Sequence, residues 1–434
     1  MKRQHVVVVT LMGNGHLYPV LPLIAELADR GYRVSCPINR HYAPRIQAAG
    51  AEAVVYSDLP VDAALQAENE ARASLLASDP SRLETSDLEW EHVVKSTKHL
   101  LTQVMEFYEQ DPPDLILYNR YSIAGRVIAS RFNALAIQFS PHFAYPGRSR
   151  FWCHGDCRNP EGMVAYGKRL DSLMATYEIS TQDNLWHVEK LNIHFIPKDF
   201  QYRSELFDDR FLFSGSLLQR SYGSVWHRQK GNRPLILISG YSGLPETKSS
   251  DVEYFKIFID ALANSPYHCI LSIGESVPAE SLGSLPRNFE INRYASHLEI
   301  LPHASLFACH GGMGSSLEAL HHGVPVLAIP ASPYTQEVAH RIAELGVGAA
   351  LPRNELDVST LRTGVSEMLY STSLQGRVKA LQRSFQRSGG AAAVVQRIER
   401  HLREAQRGDL VVESKGGDSH RAELTRPCFV GSAC

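Results

Sequence analysis

The feature that most constrains the fold is a glycine-rich turn in the second half of the chain. Residues 304–309 form an apolar run that predicts a buried strand, and residues 310–316 then read HGGMGSS. A helix is predicted from Ser315 or Ser316, and a second apolar strand is predicted within 323–330. Strands and helices that alternate in this way are typical of a parallel α/β sheet.

This turn has the properties of an anion-binding site. Glycines let the main chain approach a ligand closely, and the first N–H groups of a helix, reinforced by the helix dipole, point at a negative group placed there. A diphosphate fits such a site, and Glu318, one turn further along, can accept hydrogen bonds from vicinal sugar hydroxyls. An ordinary strand-to-helix turn is the alternative, but His310, Ser315 and Glu318 beside paired glycines favour the ligand site.

A second turn of this kind lies near the N-terminus. Residues 5–10 predict a buried strand, residues 13–20 read GNGHLYPV, and an apolar-faced helix follows and ends near Arg30 and Gly31. In open parallel sheets, ligands bind outside the carboxyl ends of the strands. His16 and His310 both lie at such ends, so we expect both to face a ligand.

These two turns resemble those of the nucleotide-sugar-dependent glycosyltransferases of the GT-B fold, in the branch of plant UDP-glycosyltransferases and bacterial macrolide glycosyltransferases. The resemblance extends to about Arg403. It implies an α/β fold with two Rossmann-like, doubly wound domains that face each other across a cleft. It also implies an inverting, metal-independent hexosyltransferase that uses a nucleoside diphosphate sugar, here a UDP-sugar, to glycosylate a hydroxyl of a small acceptor such as a natural product or antibiotic precursor. No cofactor is expected beyond this co-substrate.

The resemblance and the sequence pattern together divide the chain into four parts. Residues 1–216 are predicted to form the acceptor-binding domain, and the polar segment 217–233 is predicted to be the linker. Residues 234–403 are predicted to form the nucleotide-sugar-binding domain with a C-terminal helix. Residues 404–434 are rich in Gly, Ser and charge, which predicts a disordered tail.

The catalytic residues are implied by the family pattern. In that family the His of the first turn is the general base, and here it is His16. The family's Asp that orients this ring matches Asn119, which follows the predicted strand 114–118. An amide can hydrogen-bond the ring but cannot neutralise an imidazolium, so we expect a weaker base. His142, at the end of the neighbouring strand, is predicted to face the acceptor and is the next candidate base.

The residues that bind the donor are implied in the same way. His310 and the backbone of 312–315 match the diphosphate site, and Tyr294 replaces a Trp that stacks on the nucleobase. For the donor sugar, ungapped matching gives Tyr334 and Thr335, whereas a one-residue slip gives Gln336, and the sequence leaves this open. The predicted donor residues are Ser242, Tyr294, His297, His310, Gly312, Gly314, Ser315, Glu318, Tyr334, Thr335 and Gln336.

Composition excludes several other classes. The chain has 434 residues, which is too long for one core, and its net charge of -2 gives no basic excess for nucleic acid or anionic lipid. No run reaches the roughly 18 apolar residues of a membrane span, and the N-terminal apolar run stops at Gly13 without a signal cleavage site. Seven irregularly spaced cysteines favour a reduced, cytoplasmic protein. Cys153, His154 and Cys157 lack the second half of a metal site, so no metal is expected.

Two other functions stay open at the level of sequence. Asn119 and the altered sugar segment suggest a nucleotide-sugar-binding protein that has lost catalysis, although His16 is retained. A sugar-nucleotide 2-epimerase shares the fold, but it would need a carboxylate-rich pocket that the sequence does not reveal. The acceptor, the sugar and the oligomeric state are not fixed by sequence.

Overall fold

The computed structural model describes most of the chain. The described residues are 3–60, 87–145, 160–179, 187–218, 226, 233–240, 248–274, 277–293, 297–330 and 332–407. Outside them lie two predicted donor residues, Ser242 and Tyr294, most of the predicted linker, the three residues of the partial metal pattern at 153, 154 and 157, and residues 408–434.

The first domain is built on a seven-stranded parallel sheet in the order β3-β2-β1-β4-β5-β6-β7. Its strands are β1 His5–Val9, β2 Arg33–Asn39, β3 Glu52–Tyr56, β4 Leu115–Asn119, β5 Leu135–Ser140, β6 Asn192–His194 and β7 Phe211–Phe213. Its helices are α1 Asn14–Leu17, α2 Leu21–Asp29, α3 Ala43–Ala48, α4 Asp87–Gln110, α5 Ile123–Arg131 and α6 Pro160–Ala175. The strand order reverses between β1 and β4, so the crevice of this sheet opens where those two strands end.

The second domain repeats this plan with six parallel strands in the order β10-β9-β8-β11-β12-β13. Its strands are β8 Leu235–Ser239, β9 His268–Ser272, β10 Phe289–Ile291, β11 Leu306–Cys309, β12 Val326–Ala328 and β13 Gly348–Ala350. Its helices are α7 Lys248–Leu262, α8 His297–Ile300, α9 Met313–His321, α10 Pro333–Glu344, α11 Val358–Tyr370 and α12 Thr372–Arg387. Here the order reverses between β8 and β11, and β11 leads into the glycine-rich turn.

Each sheet of this type is buried on both faces, which explains the continuous apolar runs in the sequence. In β1, Val6 and Val8 pack into one hydrophobic cluster, while Val7 and Val9 pack into a second cluster on the opposite face. All four valines are 0% exposed. The predicted strands at 5–10 and 114–118 are therefore observed as central strands of the first sheet.

The chain returns to the first domain at its end. The last helix, α13 Gly390–Gln406, buries Val394, Val395 and Ile398 in a cluster with β1 and α2 of the first domain. Arg30, just after α2, pairs with Glu399 of α13 at 3.3 Å. The sequence-based division placed this helix with the second domain and ended it at Arg403. The structure moves the helix to the first domain, because its apolar stripe packs into the hydrophobic cluster of that domain, and extends it to Gln406.

The two domains also share core and polar contacts. Phe143 and Phe200 of the first domain lie in the hydrophobic cluster of the second. Arg341 of α10 donates to three main-chain carbonyls of the first domain, those of Asp199, Phe200 and Gln201, at 3.2, 2.9 and 3.0 Å. These contacts fix the last turn of α10 against the first domain.

Two further findings concern the described part of the chain. Within it, no helix combines the length and apolarity needed to cross a membrane. The three cysteines that it contains, Cys36, Cys269 and Cys309, are buried free thiols.

Candidate active site in the cleft between the domains

His16 lies in the turn that follows β1. Gly13 has a φ of 131°, which favours glycine, and its carbonyl accepts from the His16 main chain at 3.2 Å, so the turn places His16 in the short helix α1. Asn119, the last residue of β4, lies beside it, with 3.2 Å between Asn119 Nδ2 and His16 Nδ1. The neighbouring strands β1 and β4 thus bring together the predicted base and its predicted partner.

His142 completes a pair of imidazoles at this edge of the sheet. Its ring meets the ring of His16 edge to face, with 4.9 Å between the centroids, and the Tyr121 ring lies 6.1 Å from His16. Burial lowers the pKa of His16 to about 4. His16 is therefore neutral at pH 7, which is the form that a general base needs.

The glycine-rich turn after β11 leads directly into α9. The helix begins at Met313, two residues or more before the predicted start, because the Met313 side chain is buried and anchors the first turn. Its N-cap is Gly312, and no side chain in the described part of the chain caps the helix. The first N–H groups of α9, around Gly314 and Ser315, are consequently available to an anion.

Gly312 is required by the position of His310. A Cβ at Gly312 would lie 2.5 Å from Nε2 of His310, so the ring packs directly over the turn. The His310 ring also hydrogen-bonds the main chain of Gly240, and burial lowers its pKa to about 4. His310 is neutral and positioned beside the uncapped helix.

His297 lies next to His310, at the start of α8. Its Nε2 lies 3.4 Å from Oγ of Ser272, and burial lowers its pKa to about 4. The ring packs edge-on against Phe307 of β11, with 5.4 Å between the centroids. Two neutral imidazoles, His297 and His310, therefore line the same end of the second sheet.

Glu318 lies on the second turn of α9 and is half-buried. Burial raises its pKa to about 7. Within the described part of the chain, its carboxylate has no hydrogen-bond partner, so it takes no part in a capping network. A half-buried carboxyl group without a hydrogen-bond partner in the protein is suited to accept a hydrogen bond from a ligand hydroxyl.

The three residues predicted to bind the donor sugar lie at the start of α10, and their side chains make different contacts. Thr335 is buried and forms a capping box with Ser332, which uses its hydroxyl. Tyr334 crosses the cleft, with 2.6 Å between its hydroxyl and Nδ1 of His142. Gln336 is half-buried, and its side-chain amide makes no hydrogen bond to any described residue. Of the three, Gln336 has the side chain that is open to a ligand.

The sequence did not point to a second polar contact across the cleft. The Tyr145 hydroxyl donates to Glu337 at 2.8 Å from Oε2, and the Tyr202 hydroxyl donates to the Glu337 carbonyl at 3.2 Å. Tyr145 and Glu337 are 192 residues apart, so no local pattern could have joined them. Together with the hydrogen bond between Tyr334 and His142, these hydrogen bonds hold the carboxyl ends of the two sheets on either side of one cleft.

This arrangement, two doubly wound parallel sheets whose carboxyl ends share a cleft, is the GT-B fold. The solved structure of the calicheamicin glycosyltransferase CalG4 is similar to this chain, with a TM-score of 0.78 and 28% identity over 93% of this chain and 100% of that one. The expected fold class is thereby confirmed.

Sequence comparisons agree with the structural one. Residues 257–400 match the family described as erythromycin biosynthesis protein CIII-like, C-terminal domain. The NDP-glycosyltransferase YjiC of Bacillus subtilis (strain 168) is 32% identical over 93% of this chain and 99% of its own length. The oleandomycin glycosyltransferase of Streptomyces antibioticus is 28% identical over 93% of this chain and 94% of its own. The chain belongs to the GT-B UDP-glycosyltransferase family, and it is a glycosyltransferase.

Proposed function

We propose that this enzyme transfers a sugar from a nucleoside diphosphate sugar, a UDP-sugar, to a hydroxyl group of a small natural-product acceptor, with inversion at the anomeric carbon. One observation carries the proposal: His16 and His142, at the end of the first sheet, meet Tyr334 at the start of α10, two residues before the open amide of Gln336. An acceptor beside His16 and a donor on the second domain would thus meet in one cleft.

The donor diphosphate is proposed to bind at the N-terminus of α9. The main chain of Gly312, Gly314 and Ser315 would donate to it, with the ring of His310 packed beside them. These groups would stabilise the negative charge on the departing diphosphate. In other transferases a metal ion stabilises that charge, so we propose that transfer here is metal-independent. Glu318 is proposed to accept from the ribose hydroxyls.

The remaining donor contacts follow the family pattern. Tyr294 is proposed to stack on the nucleobase, and Ser242 and His297 to line the same site. We assign the donor-sugar contact to Gln336, since the Thr335 hydroxyl is occupied in the capping box and the Tyr334 hydroxyl meets His142.

The acceptor oxygen is proposed to lie beside His16, with His142 as its neighbour. The oxygen attacks the anomeric carbon from the side opposite the diphosphate, and the bond to the diphosphate breaks with its electron pair; where the acceptor has not already ionised, its proton passes to His16. A single displacement of this kind converts an α-linked donor into a β-glycoside. The relatives named for calicheamicin and oleandomycin support a natural-product acceptor, and the buried free thiols agree with a reduced, cytoplasmic setting.

A transfer assay tests this function. Purified protein is incubated with UDP-[14C]glucose and a panel of phenolic natural products, and the anomeric configuration of any product is read from its proton coupling constant. We expect a labelled β-glycoside. Binding of the donor without turnover would instead support a non-catalytic binding protein, and conversion to a new sugar nucleotide would support a 2-epimerase.

A further inference from the structure

The orientation of the Asn119 side chain is fixed by its two hydrogen bonds. The main-chain N–H of Tyr121 donates to one end of the Asn119 amide at 3.0 Å, and the other end lies 3.2 Å from Nδ1 of His16. A main-chain N–H can only donate, so the amide atom facing Tyr121 must be the oxygen. The amide nitrogen therefore faces His16, and Asn119 is 0% exposed, so water cannot replace either partner.

This orientation determines where His16 carries its proton. The amide nitrogen only donates, so Nδ1 of His16 must accept, and the neutral ring carries its proton on Nε2. No described residue hydrogen-bonds Nε2, which is thus the nitrogen left for the acceptor. A protonated Nε2 cannot remove a proton from an acceptor hydroxyl. An Asp in place of Asn119 would accept from Nδ1–H and leave Nε2 free as a base.

No carboxylate in the described part of the chain takes the place of an Asp beside His16. Among the described residues, the titratable groups that contact its ring are His142, from the segment after β5, and Tyr121, from the segment after β4. Tyr334 lies behind His142 and is hydrogen-bonded to it. Burial alone lowers the pKa of His16, without a contribution from any carboxylate in the described part of the chain.

We propose that Asn119 makes this enzyme selective for acceptors whose attacking atom ionises readily, namely phenols, enols and thiols, over aliphatic alcohols. The inference rests on the proposed function and names its acceptor class. Phenols and thiols lose a proton near pH 10 and 8.5, judged from the side chains of Tyr and Cys, so they can reach the cleft as anions. An aliphatic alcohol cannot.

The two acceptor classes then react differently. A phenolate or thiolate has already released its proton to solvent, so it accepts a hydrogen bond from Nε2–H of His16 and attacks the anomeric carbon. The bond to the diphosphate oxygen breaks with its electron pair, and no proton moves on the enzyme. For an alcohol, the hydroxyl proton must pass to His16, which requires the rarer tautomer with its proton on Nδ1. In that tautomer, the Nδ1–H of His16 and the N–H of Asn119 point at each other, and neither group can accept.

The tautomer can be measured without any assay of activity. Long-range 1H–15N correlation spectra of the full chain, labelled with 15N-histidine, identify the protonated nitrogen of each neutral ring, and the His16→Ala variant assigns the His16 signals. We expect protonated Nε2 in the natural chain and protonated Nδ1 in Asn119→Asp. A natural chain with the proton on Nδ1 would overturn the inference, whatever the enzyme transfers.

Kinetics test the selectivity. We measure kcat/KM against pH for a series of phenols of graded pKa and for a matched benzylic alcohol. In the natural chain, the acid limb of the profile should follow the pKa of each phenol. Asn119→Asp should raise transfer to the alcohol by about 10²- to 10⁴-fold, the range of general base catalysis, and change transfer to phenols by only a few-fold. Loss of activity on every acceptor would instead show that Asn119 holds the acceptor itself, and would overturn the inference.

Two further variants separate the tautomer from other effects. Asn264→Asp makes the same chemical change in an exposed turn of the second domain, and it should alter neither the spectrum of His16 nor the acceptor preference. His16→Ala should lower alcohol transfer far more in the Asn119→Asp background than in the natural chain, because only there does His16 act as a full base. Equal losses in both backgrounds would contradict the inference.

Discussion

Substitution of Gly312 by Ala is expected to displace His310 and weaken donor binding without unfolding the protein. The main chain of Gly312 has φ of −63° and ψ of 140°, a conformation open to any residue, so the change adds no backbone strain. The added Cβ would lie 2.5 Å from Nε2 of His310, far inside van der Waals contact. The ring must turn away, and its hydrogen bond to Gly240 must break.

These two effects set the expected changes in the free energy of unfolding and in UDP affinity. Overpacking of this size lowers the free energy of unfolding by about 1 to 3 kcal/mol, a loss that an intact two-domain protein can tolerate. The added Cβ and the displaced ring would crowd the N-terminus of α9, and loss of one hydrogen bond to the charged diphosphate there, about 1.5 to 3 kcal/mol, should weaken UDP binding by about 10- to 150-fold.

Calorimetry with UDP measures the change in affinity, and a thermal melt confirms that the variant is folded. Gly364→Ala is the matched control: it makes the same substitution in α11, where the new Cβ would have no atom within 4 Å apart from the backbone of its own helix and its chain neighbours. It should leave UDP affinity unchanged and raise stability by up to about 1 kcal/mol, because Ala favours helix over Gly. A folded Gly312→Ala protein that binds UDP as tightly as the natural chain would refute the placement of the diphosphate beside His310.

Three other predictions concern the second domain. Folding raises the pKa of Glu318 from 4.5 to about 7, so its carboxyl group destabilises the protein as pH rises through that window. Glu318→Gln should therefore raise the melting temperature at pH 8 but hardly at pH 5. Equal gains at both pH values would contradict this prediction. Tyr294→Ala should weaken UDP binding strongly while Tyr294→Phe should not, and equal losses by calorimetry would show that the phenol hydroxyl makes the contact. Arg341→Lys should lower the free energy of unfolding, measured by denaturant titration, by about 1 to 3 kcal/mol, because an ammonium group cannot hydrogen-bond all three carbonyls. The control Arg383→Lys, on an exposed face, should change it by less than about 0.5 kcal/mol.

Much of the fold could be predicted because its central strands are buried on both faces. Such strands read as continuous apolar runs, and β1, β4 and β11 were all located in this way. The two glycine turns were visible for a related reason: a helix that starts directly after a buried strand needs residues that allow a tight turn. The start of α9 was predicted too late, because the anchoring of its first turn by Met313 depends on the tertiary packing.

The contacts that join the domains could not be predicted. Tyr334 and His142 are 192 residues apart, and neither lies in a pattern that marks a partner. The return of α13 to the first domain was missed for the same reason, since an apolar stripe on a helix does not say which surface covers it. The capping box of Ser332 and Thr335 has a local signature of the type Ser-x-x-Thr, which the matching of donor residues overlooked.

We expect donor and acceptor to meet in the cleft between the glycine turn of α9 and His16. A crystal structure of the enzyme with UDP and a phenolic acceptor tests it most directly. We expect diphosphate oxygens within hydrogen-bond distance of the main chain of Gly314 and Ser315, the ribose on Glu318, and the acceptor oxygen beside Nε2 of His16. A diphosphate bound elsewhere, or an acceptor bound away from His16, would contradict it.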